Sequence, residues 1–319
     1  MTRAELPSGW PAHVRCVQPG IGPVAQLALF VRRIRRWFRR SLAPQRVAAA
    51  RAALRGECAD CTHDVVEAAD LRWVANVCGL RPPAGADPVL FADRFGLVRL
   101  ARPELLLALF VSAAAGVVAS IWSWWLLPVA LLPLAFTTWF FRDPERLPPA
   151  GEGLVLAAAD GVLDDVRREP ECPFFQGPAI RLGVFLSLFD VHVNRAPVAG
   201  EATGFDYRPG ARRATHRIGA TDANEQLLTW LRTPDGLPIV VRQIAGPAAR
   251  RICCVLRAGE RVAAGQRFGL IKFGSRTEVF VPDVPGLQLV ARSGQRVRAG
   301  ETILARLPRV ANAAASATS

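Results

Sequence analysis

Three side chains in the C-terminal half of the chain could together activate a hydroxyl group. Ser275 stands in "FGSRTEV", His192 in "FDVHVNR" and Asp160 in "AAADGV". In such a set the imidazole removes the hydroxyl proton and the carboxylate orients the imidazole. The sequence does not show that the three meet, and "FGSRT" lacks the G-x-S-x-G turn of many serine hydrolases. A membrane-bound Ser-His-Asp hydrolase is therefore one hypothesis from the residues alone.

The elements that must position these residues read mostly as β-strands. Beyond the Pro- and Gly-rich stretch 144–153, short apolar runs alternate with turns that contain Gly, Pro or Asn. The Gly274-Ser275 pair falls between two such runs, where a Gly-Ser pair more often marks only a turn or bulge. Helical periodicity appears only around "DANEQLLTWL", so a helix is predicted over 222–231.

An internal repeat flanks the Gly-Ser pair. The stretch "RAGERVAAGQRFGLI" from Arg257 matches "RSGQRVRAGETILAR" from Arg292. The shared G-x-x-V-x-x-G pattern resembles the units of lipoyl- and biotinyl-type barrel-sandwich folds, in which glycines turn the chain between short strands. A non-enzymatic barrel-sandwich membrane adaptor is the second hypothesis, although it leaves Ser275, His192 and Asp160 unexplained.

A long apolar segment precedes the β-rich region. No charged residue occurs from Leu105 to Phe141, and a spanning helix needs about 20 apolar residues. The tryptophan cluster at 122–125 suits a membrane–water interface, and arginines flank both outer ends. The segment 101–141 is therefore predicted to be a transmembrane helical hairpin with both ends in the cytoplasm.

The charge of the chain also indicates a membrane. The formal net charge is +13, and Lys272 is the only lysine, so arginine supplies nearly all of it. Such an excess of positive charge is typical of proteins that bind nucleic acid or an anionic bilayer. The apolar segment favours the bilayer, and no nucleic-acid partner is expected. The stretch "FVRRIRRWFRRSL" has one apolar face among arginines, which is typical of a helix lying on an anionic membrane, with a solvated helix as the alternative. Residues 1–100 are interpreted as a basic helical accessory module.

The cysteines do not predict a disulfide framework. There are seven, and the chain opens without a secretory signal peptide, so reduced cytosolic thiols are expected. Zinc could in principle be bound by Cys58, Cys61, His63 and Cys78, but their spacing is irregular. No metal is expected.

Six motifs in a fixed order narrow the interpretation. They are "FRDPER", "AADG", "DVHVNRAPVAG", "NEQ", "VRQIAGPAARRI" and "GLIKFGSRTEVFVP". Together they resemble phosphatidylserine decarboxylases of the short prokaryotic branch over about residues 141–307. The expected fold is α+β, with a β-rich catalytic domain of barrel-sandwich-like repeats at 142–308 and a flexible tail at 309–319.

The resemblance implies that the protein makes its own cofactor. The Gly274–Ser275 bond would be cut by attack of the serine hydroxyl, and elimination followed by hydrolysis would turn Ser275 into a pyruvoyl group. The β chain 1–274 and the α chain 275–319 would stay paired. The pyruvoyl ketone would form a Schiff base with the amine of phosphatidylserine and release CO₂ to give phosphatidylethanolamine. With Lys272 as the sole lysine, a pyridoxal route is disfavoured.

The resemblance also implies roles for individual residues. His192 and Asp160 match the base of self-cleavage and its partner, while Arg195 stands where longer family members have a second histidine, so His216 is the alternative base. From the residues alone, Arg195, Arg276 or the Arg250/Arg251 pair are candidates to hold the substrate phosphate or carboxylate. The implied location is the cytoplasmic membrane, with the catalytic domain facing the cytoplasm, and a homo-oligomer is compatible with the sequence. The hydrolase and adaptor hypotheses predict an intact chain, whereas the decarboxylase predicts a cut one.

Overall fold

The computed structural model describes residues 23–56, 80–81, 96–208, 210–211, 213, 222–247, 249, 251–273 and 275–308. Within these residues the helices are α1 Pro23–Leu42, α2 Pro44–Ala52, α3 Arg102–Trp122 and α4 Leu127–Phe140. The strands are β1 Leu154–Leu156, β2 Gly161–Glu169, β3 Ala179–Leu186, β4 Val193–Arg195, β5 Gly200–Arg208, β6 Gln226–Arg232, β7 Pro238–Ala245, β8 Arg251–Cys254, β9 Glu260–Val262, β10 Arg267–Lys272, β11 Ser275–Pro282, β12 Gln288–Leu289, β13 Arg296–Val297 and β14 Ile303–Arg306. The α+β class expected from the sequence is confirmed.

An antiparallel eight-stranded sheet carries the C-terminal half of the protein. Its strand order is β13-β2-β3-β11-β7-β6-β5-β9. Strand β11 lies inside this sheet, paired with β3 from Ser275 to Pro282 and with β7 from Ser275 to Phe280. All its residues are buried, and its β-branched and aromatic side chains suit a strand with neighbours on both edges. The residue at the predicted cleavage point therefore begins a central strand.

The two sequence repeats occupy equivalent places in the fold. Short strands β9 and β13 form the two edges of the large sheet, while β10 and β14 are the middle strands of two three-stranded sheets, β4-β10-β8 and β1-β14-β12. The repeat glycines 259, 265, 294 and 300 all have positive φ, between 73° and 85°, as turn glycines require. The second glycines of the two units also meet, since a Cβ on Gly300 would lie 3.2 Å from the Cα of Gly265.

The apolar segment forms two consecutive helices that pack on each other. A 3₁₀ turn at Trp124–Leu126 joins α3 to α4, and the Leu134 amide of α4 donates to Ser112 Oγ of α3 at 3.2 Å. Residues Arg99–Trp122 are long and apolar enough to cross a membrane, whereas Trp124–Phe140 is a shorter apolar helix. Membrane crossing by the pair stays a prediction.

The helix predicted over 222–231 is wrong. Residues Gln226–Arg232 form strand β6, paired with β5 on one side and β7 on the other. Leu227 and Leu231 pack into the main core, while Leu228 belongs to a smaller core that includes Phe280. Because both faces of this strand are covered, its apolar residues do not alternate with polar ones, and the helical period was coincidental.

The N-terminal region is described only in part. Helix α1 is present, and several large apolar side chains on it, among them Phe30, Trp37 and Leu42, are exposed. Several expectations concern residues outside the described part of the chain. They are the possible zinc ligands Cys58, Cys61, His63 and Cys78, the alternative base His216 and the tail 309–319.

Candidate active site

Ser275 is buried, and its hydroxyl has no hydrogen-bond partner in the described part of the chain. The residue is 1% exposed and is held between Leu186 of β3 and Ala245 of β7. Its Oγ makes no hydrogen bond to any described residue. Buried hydroxyls are nearly always hydrogen-bonded, so an orphan of this kind calls for an explanation such as reactivity.

The backbone just before Ser275 is strained. Phe273 has a φ of 67°, and it is the one non-glycine residue with positive φ in the described part of the chain. Such a conformation costs on the order of 1–3 kcal/mol and persists only where the surroundings hold it. Here the Phe273 ring stacks on Phe140 at 4.7 Å and meets Phe141 edge-on at 5.6 Å. Gly274 itself lies outside the described residues.

His192 is buried in its neutral form. It is 1% exposed, and its Nδ1 lies 2.8 Å from the backbone carbonyl of Asp190. Because a carbonyl only accepts, Nδ1 carries the hydrogen and Nε2 keeps its lone pair. Nε2 has no hydrogen-bond partner among the described residues, and burial lowers the pKa of His192 to about 4.

A buried polar network connects the segments that carry His192 and Ser275. Asn194 Nδ2 donates to Thr277 Oγ1 at 3.1 Å, and Gln243 Nε2 donates to Asn194 Oδ1 at 2.7 Å. Asn194 follows His192 by two residues and Thr277 follows Ser275 by two residues, so this bond links the two segments. His192 Nε2 and Ser275 Oγ are not hydrogen-bonded to each other.

Asp160 is engaged by partners other than His192. Its Oδ2 accepts from Arg146 Nη2 at 2.7 Å, and its Oδ1 accepts from the amide of Ala299 at 2.7 Å. Burial raises the pKa of this carboxyl, with the Ala299 bond and Arg146 acting against that rise. The atom that fixes the His192 tautomer is the carbonyl of Asp190. A direct Asp160–His192 bond is therefore absent among these described residues.

Arg195 is already bound to three partners within the protein. Its guanidinium donates to Asp143 Oδ1 at 3.1 Å, to the carbonyl of Pro144 at 3.0 Å and to the carbonyl of Gly265 at 3.1 Å. It is buried, so binding a substrate anion would require it to release one of these contacts.

Arg276 is also committed within the protein. It is fully buried, with Nη1 on the carboxylate of Asp164 at 2.7 Å and Nε on Glu278 at 2.9 Å. Gly183 on the neighbouring strand makes room for it, because a Cβ at that position would lie 2.1 Å from Arg276 Nη2. The contacts describe a structural role beside the serine.

The site lies at the base of the apolar helices. The Phe140 ring, in the last turn of α4, packs on His192 at 4.1 Å as well as on Phe273. Lys272 Nζ, two residues before the predicted cut, donates to Glu104 of α3 at 2.5 Å and to the Leu100 carbonyl at 2.9 Å. Both helices therefore touch the segment that leads to the predicted cleavage point.

Sequence reasoning missed several of these residues. Asp190 stands two residues before His192 in the motif "DVHVNRAPVAG", and Thr277 stands two residues after Ser275. Strand alternation could have placed Thr277 beside the serine. Nothing local marked Phe140, because an aromatic residue in an apolar helix is ordinary.

The fold and the site define a class of protein. It is a β-rich protein in which a strained backbone at Phe273, a buried serine and a neutral buried histidine lie next to a pair of apolar helices. A family model described as phosphatidylserine decarboxylase matches residues 134–305. That is more than half of the chain, and the chain belongs to the phosphatidylserine decarboxylase family.

Individual relatives agree with the family assignment. A phosphatidylserine decarboxylase proenzyme of Salinibacter ruber is 44% identical over 192 residues, which is 60% of this chain and 84% of the relative. The proenzyme of Rhodopirellula baltica is 40% identical over 223 residues, covering 69% and 92% of the two chains. The proenzyme of Mycobacterium marinum is 42% identical over 187 residues, covering 58% and 77%.

Proposed function

We propose that this protein is a phosphatidylserine decarboxylase, a carboxy-lyase that cleaves itself between Gly274 and Ser275 and converts phosphatidylserine to phosphatidylethanolamine. Family membership supports the activity, and the relatives' name "proenzyme" agrees with a precursor that is processed. The observation that carries self-cleavage is the buried Ser275 hydroxyl, which has no hydrogen-bond partner among the described residues. The hydrolase and adaptor hypotheses have no comparable support.

In the proposed cleavage His192 is the base. Its free Nε2 takes the proton of Ser275, and Oγ bonds to the carbonyl carbon of Gly274. The C–N bond then breaks and the nitrogen takes up a proton, which leaves an ester between the two residues. A second proton abstraction, at the Cα of Ser275, breaks the Cβ–Oγ bond, leaving a carboxylate on Gly274 and dehydroalanine at 275. Water hydrolyses the imine form of dehydroalanine, ammonia leaves and a pyruvoyl group remains.

Asp160 is proposed as a positioning residue rather than a direct partner of His192. It ties Arg146 to the amide of Ala299, in the second repeat, through two short hydrogen bonds. These contacts fix the turn before β2, which borders β3 and so the strand beside Ser275. Loss of the carboxylate is expected to slow cleavage by loosening this frame.

The pyruvoyl group would supply an electrophilic carbonyl and an electron sink for loss of CO₂. The fit of residue 275 to this group rests on its burial and on its backbone, which β3 and β7 hold on both sides. His192 is the proposed proton donor or acceptor at this position. The substrate anion is not assigned to Arg195 or Arg276 alone, because both have carboxylate partners.

The proposal places the protein at the cytoplasmic membrane. Helices α3 and α4 would form a transmembrane hairpin over 101–141, with the decarboxylase domain 142–308 on the cytoplasmic side and the basic module 1–100 on the same surface. The exposed tryptophans at 122, 124 and 125 support an interfacial or lipid environment for the turn. The two repeats are proposed to be barrel-sandwich units, and a homo-oligomer is compatible with this arrangement.

Intact-mass spectrometry of the purified protein tests the proposal. The wild type should give two chains divided after Gly274, with the 275–319 chain one ammonia lighter than a simple hydrolysis product. Ser275→Ala should stay whole, while Ser293→Ala, a serine on an exposed turn of the same chain, should be processed normally. The processed protein should release CO₂ from phosphatidylserine in detergent micelles.

A second comparison separates the candidate bases. His192→Ala should remain uncleaved, whereas His216→Ala should cleave at the wild-type rate. An intact wild-type chain, or normal cleavage by His192→Ala, would contradict the assignment.

A further inference from the structure

We propose that Arg142 binds the phosphodiester of the lipid substrate. This inference rests on the proposed function, since it names the group that holds the substrate next to Ser275. Arg142 follows directly after Phe141, at the point where α4 ends and the chain enters the β-rich domain.

Among the described residues Arg142 has no carboxylate partner, in contrast to the other cations of the site. Its Nη1 donates to the carbonyl of Trp139 and its Nη2 to the carbonyl of Phe189, each at 2.7 Å. No salt bridge joins it to any residue within the described ranges, whereas Arg146, Arg195 and Arg276 each pair with a carboxylate there. The two acidic groups whose charge acts on it are bound to other residues.

Those acidic groups are Asp160 and Asp190. Asp160 is bound to Arg146 and the Ala299 amide, and Asp190 accepts from Ser187 and Arg296. The two carbonyls satisfy only part of the guanidinium, which has five donors in all. Arg142 thus retains both its net charge and free donors for an anion.

The orientation of Arg142 is fixed before any ligand arrives. The two carbonyl bonds hold both ends of the guanidinium, which also lies 4.1 Å from the Trp139 ring centre. A guanidinium group held in this way can donate its remaining N–H groups to phosphate oxygens without further loss of side-chain conformational freedom.

The surroundings suit the phosphate of a lipid better than a free anion. Arg142 is half-buried, and its neighbours Trp139 and Phe189 are 54% and 67% exposed. Leu188, on the same loop between β3 and β4, is also exposed. Exposed aromatic and apolar side chains around one cation are typical of the layer where lipid head groups meet acyl chains.

The position relative to the reactive residue also fits. Phe140, two residues before Arg142, packs on His192, and the carbonyl that Arg142 holds belongs to the loop that leads into His192. In a serine phospholipid the phosphate lies between the amino acid and the acyl chains. A lipid whose amine reaches residue 275 would therefore carry its phosphate toward the membrane end of the site, where Arg142 lies.

Steady-state kinetics in mixed micelles tests the proposal. Arg142→Gln should raise the KM for phosphatidylserine, expressed as mole fraction in the micelle, by about 10- to 100-fold, the usual worth of a charged hydrogen bond. The kcat should change little, and Arg142→Lys should lie between the two. Arg102→Gln, an exposed arginine at the start of α3, controls for general attraction to an anionic surface and should match the wild type.

Product inhibition identifies which anion is bound. Phosphatidylethanolamine keeps the phosphodiester and lacks the carboxylate, so its inhibition constant should rise in Arg142→Gln by the same factor as KM. A raised KM with unchanged product inhibition would assign Arg142 to the carboxylate and overturn the proposal, as would an unchanged KM.

Measuring self-cleavage in the same samples distinguishes failure of the Arg142 proposal from failure of the proposed function. If both Arg142 variants remain unprocessed, the arginine serves folding or cleavage, and the proposal is wrong. If the wild type cleaves but releases no CO₂ from phosphatidylserine, the proposed function fails instead.

Discussion

Self-cleavage should be nearly independent of pH down to about pH 5, because the proposed base is already neutral there. Burial lowers the pKa of His192 to about 4, and only the neutral imidazole can take the Ser275 proton. At pH 5 about nine-tenths of a group with this pKa is neutral, against about 3% for a histidine with the ordinary pKa of about 6.5. The two cases differ about 30-fold in expected rate at pH 5.

Pulse-labelled precursor from cell-free synthesis can supply this measurement. Samples made in a short pulse at neutral pH would be shifted to buffers between pH 5 and 8, and appearance of the 275–319 chain would be followed by mass. A rate at pH 5 close to that at pH 7.5 supports the buried neutral His192. A fall with a midpoint near pH 6.5 would refute this reasoning, because it would show a solvent-accessible base with an ordinary pKa.

Two substitutions test the contacts of the strand that begins at Ser275. Gly183→Ala would place a Cβ 2.1 Å from Arg276 Nη2, and forcing that buried guanidinium away from its carboxylates should lower the free energy of unfolding, measured by chemical denaturation, by about 3–5 kcal/mol. The control is Gly204→Ala, a strand glycine whose added Cβ would have its nearest neighbour 3.9 Å away, and it should change the free energy of unfolding by less than about 1 kcal/mol. Equal effects of the two substitutions would exclude this explanation. Thr277→Val removes the acceptor of the Asn194 bond and should slow self-cleavage about 10-fold, with Thr277→Ser restoring the rate; failure of the serine variant to restore it would show that the methyl group, not the hydroxyl, is what matters.

The order of the elements was largely predictable from the sequence. The glycines of the repeat are turn residues with positive φ, and the apolar runs around Ser275 became β10 and β11 because their composition suits strands. Local patterning determined these features. The one wrong element was β6, whose two buried faces erased the alternation that identifies strands.

The partners of the site residues could not be predicted in the same way. Asp160 bonds to Arg146 and the Ala299 amide, and His192 bonds to a main-chain carbonyl. Every residue has a main-chain carbonyl, so the residue types do not show which carbonyl accepts a hydrogen bond. The contact between Phe140 and His192 joins residues 52 positions apart in the sequence. Such pairings depend on how distant strands and helices pack, so the sequence pointed to Ser275, His192 and Asp160 but not to the residues that contact them.

Cutting the chain before Ser275 should not loosen the protein, because the two new ends are anchored in different sheets. Strand β10, before the cut, is held by β4 and β8, whereas β11 is held by β3 and β7. The 275–319 chain further supplies β13 to one edge of the large sheet and β14 to the middle of another sheet. Removing it would therefore expose the interior of two sheets.

Cleavage does release one constraint. Phe273 no longer has to keep its strained positive φ once the bond after Gly274 is broken, so the end of the 1–274 chain can move while residue 275 stays fixed. The two chains should copurify and unfold in a single transition, with denaturation midpoints close to those of uncleaved Ser275→Ala. Separation of the chains under native conditions would contradict this account, because it would mean that the strand pairings do not hold the α chain in place.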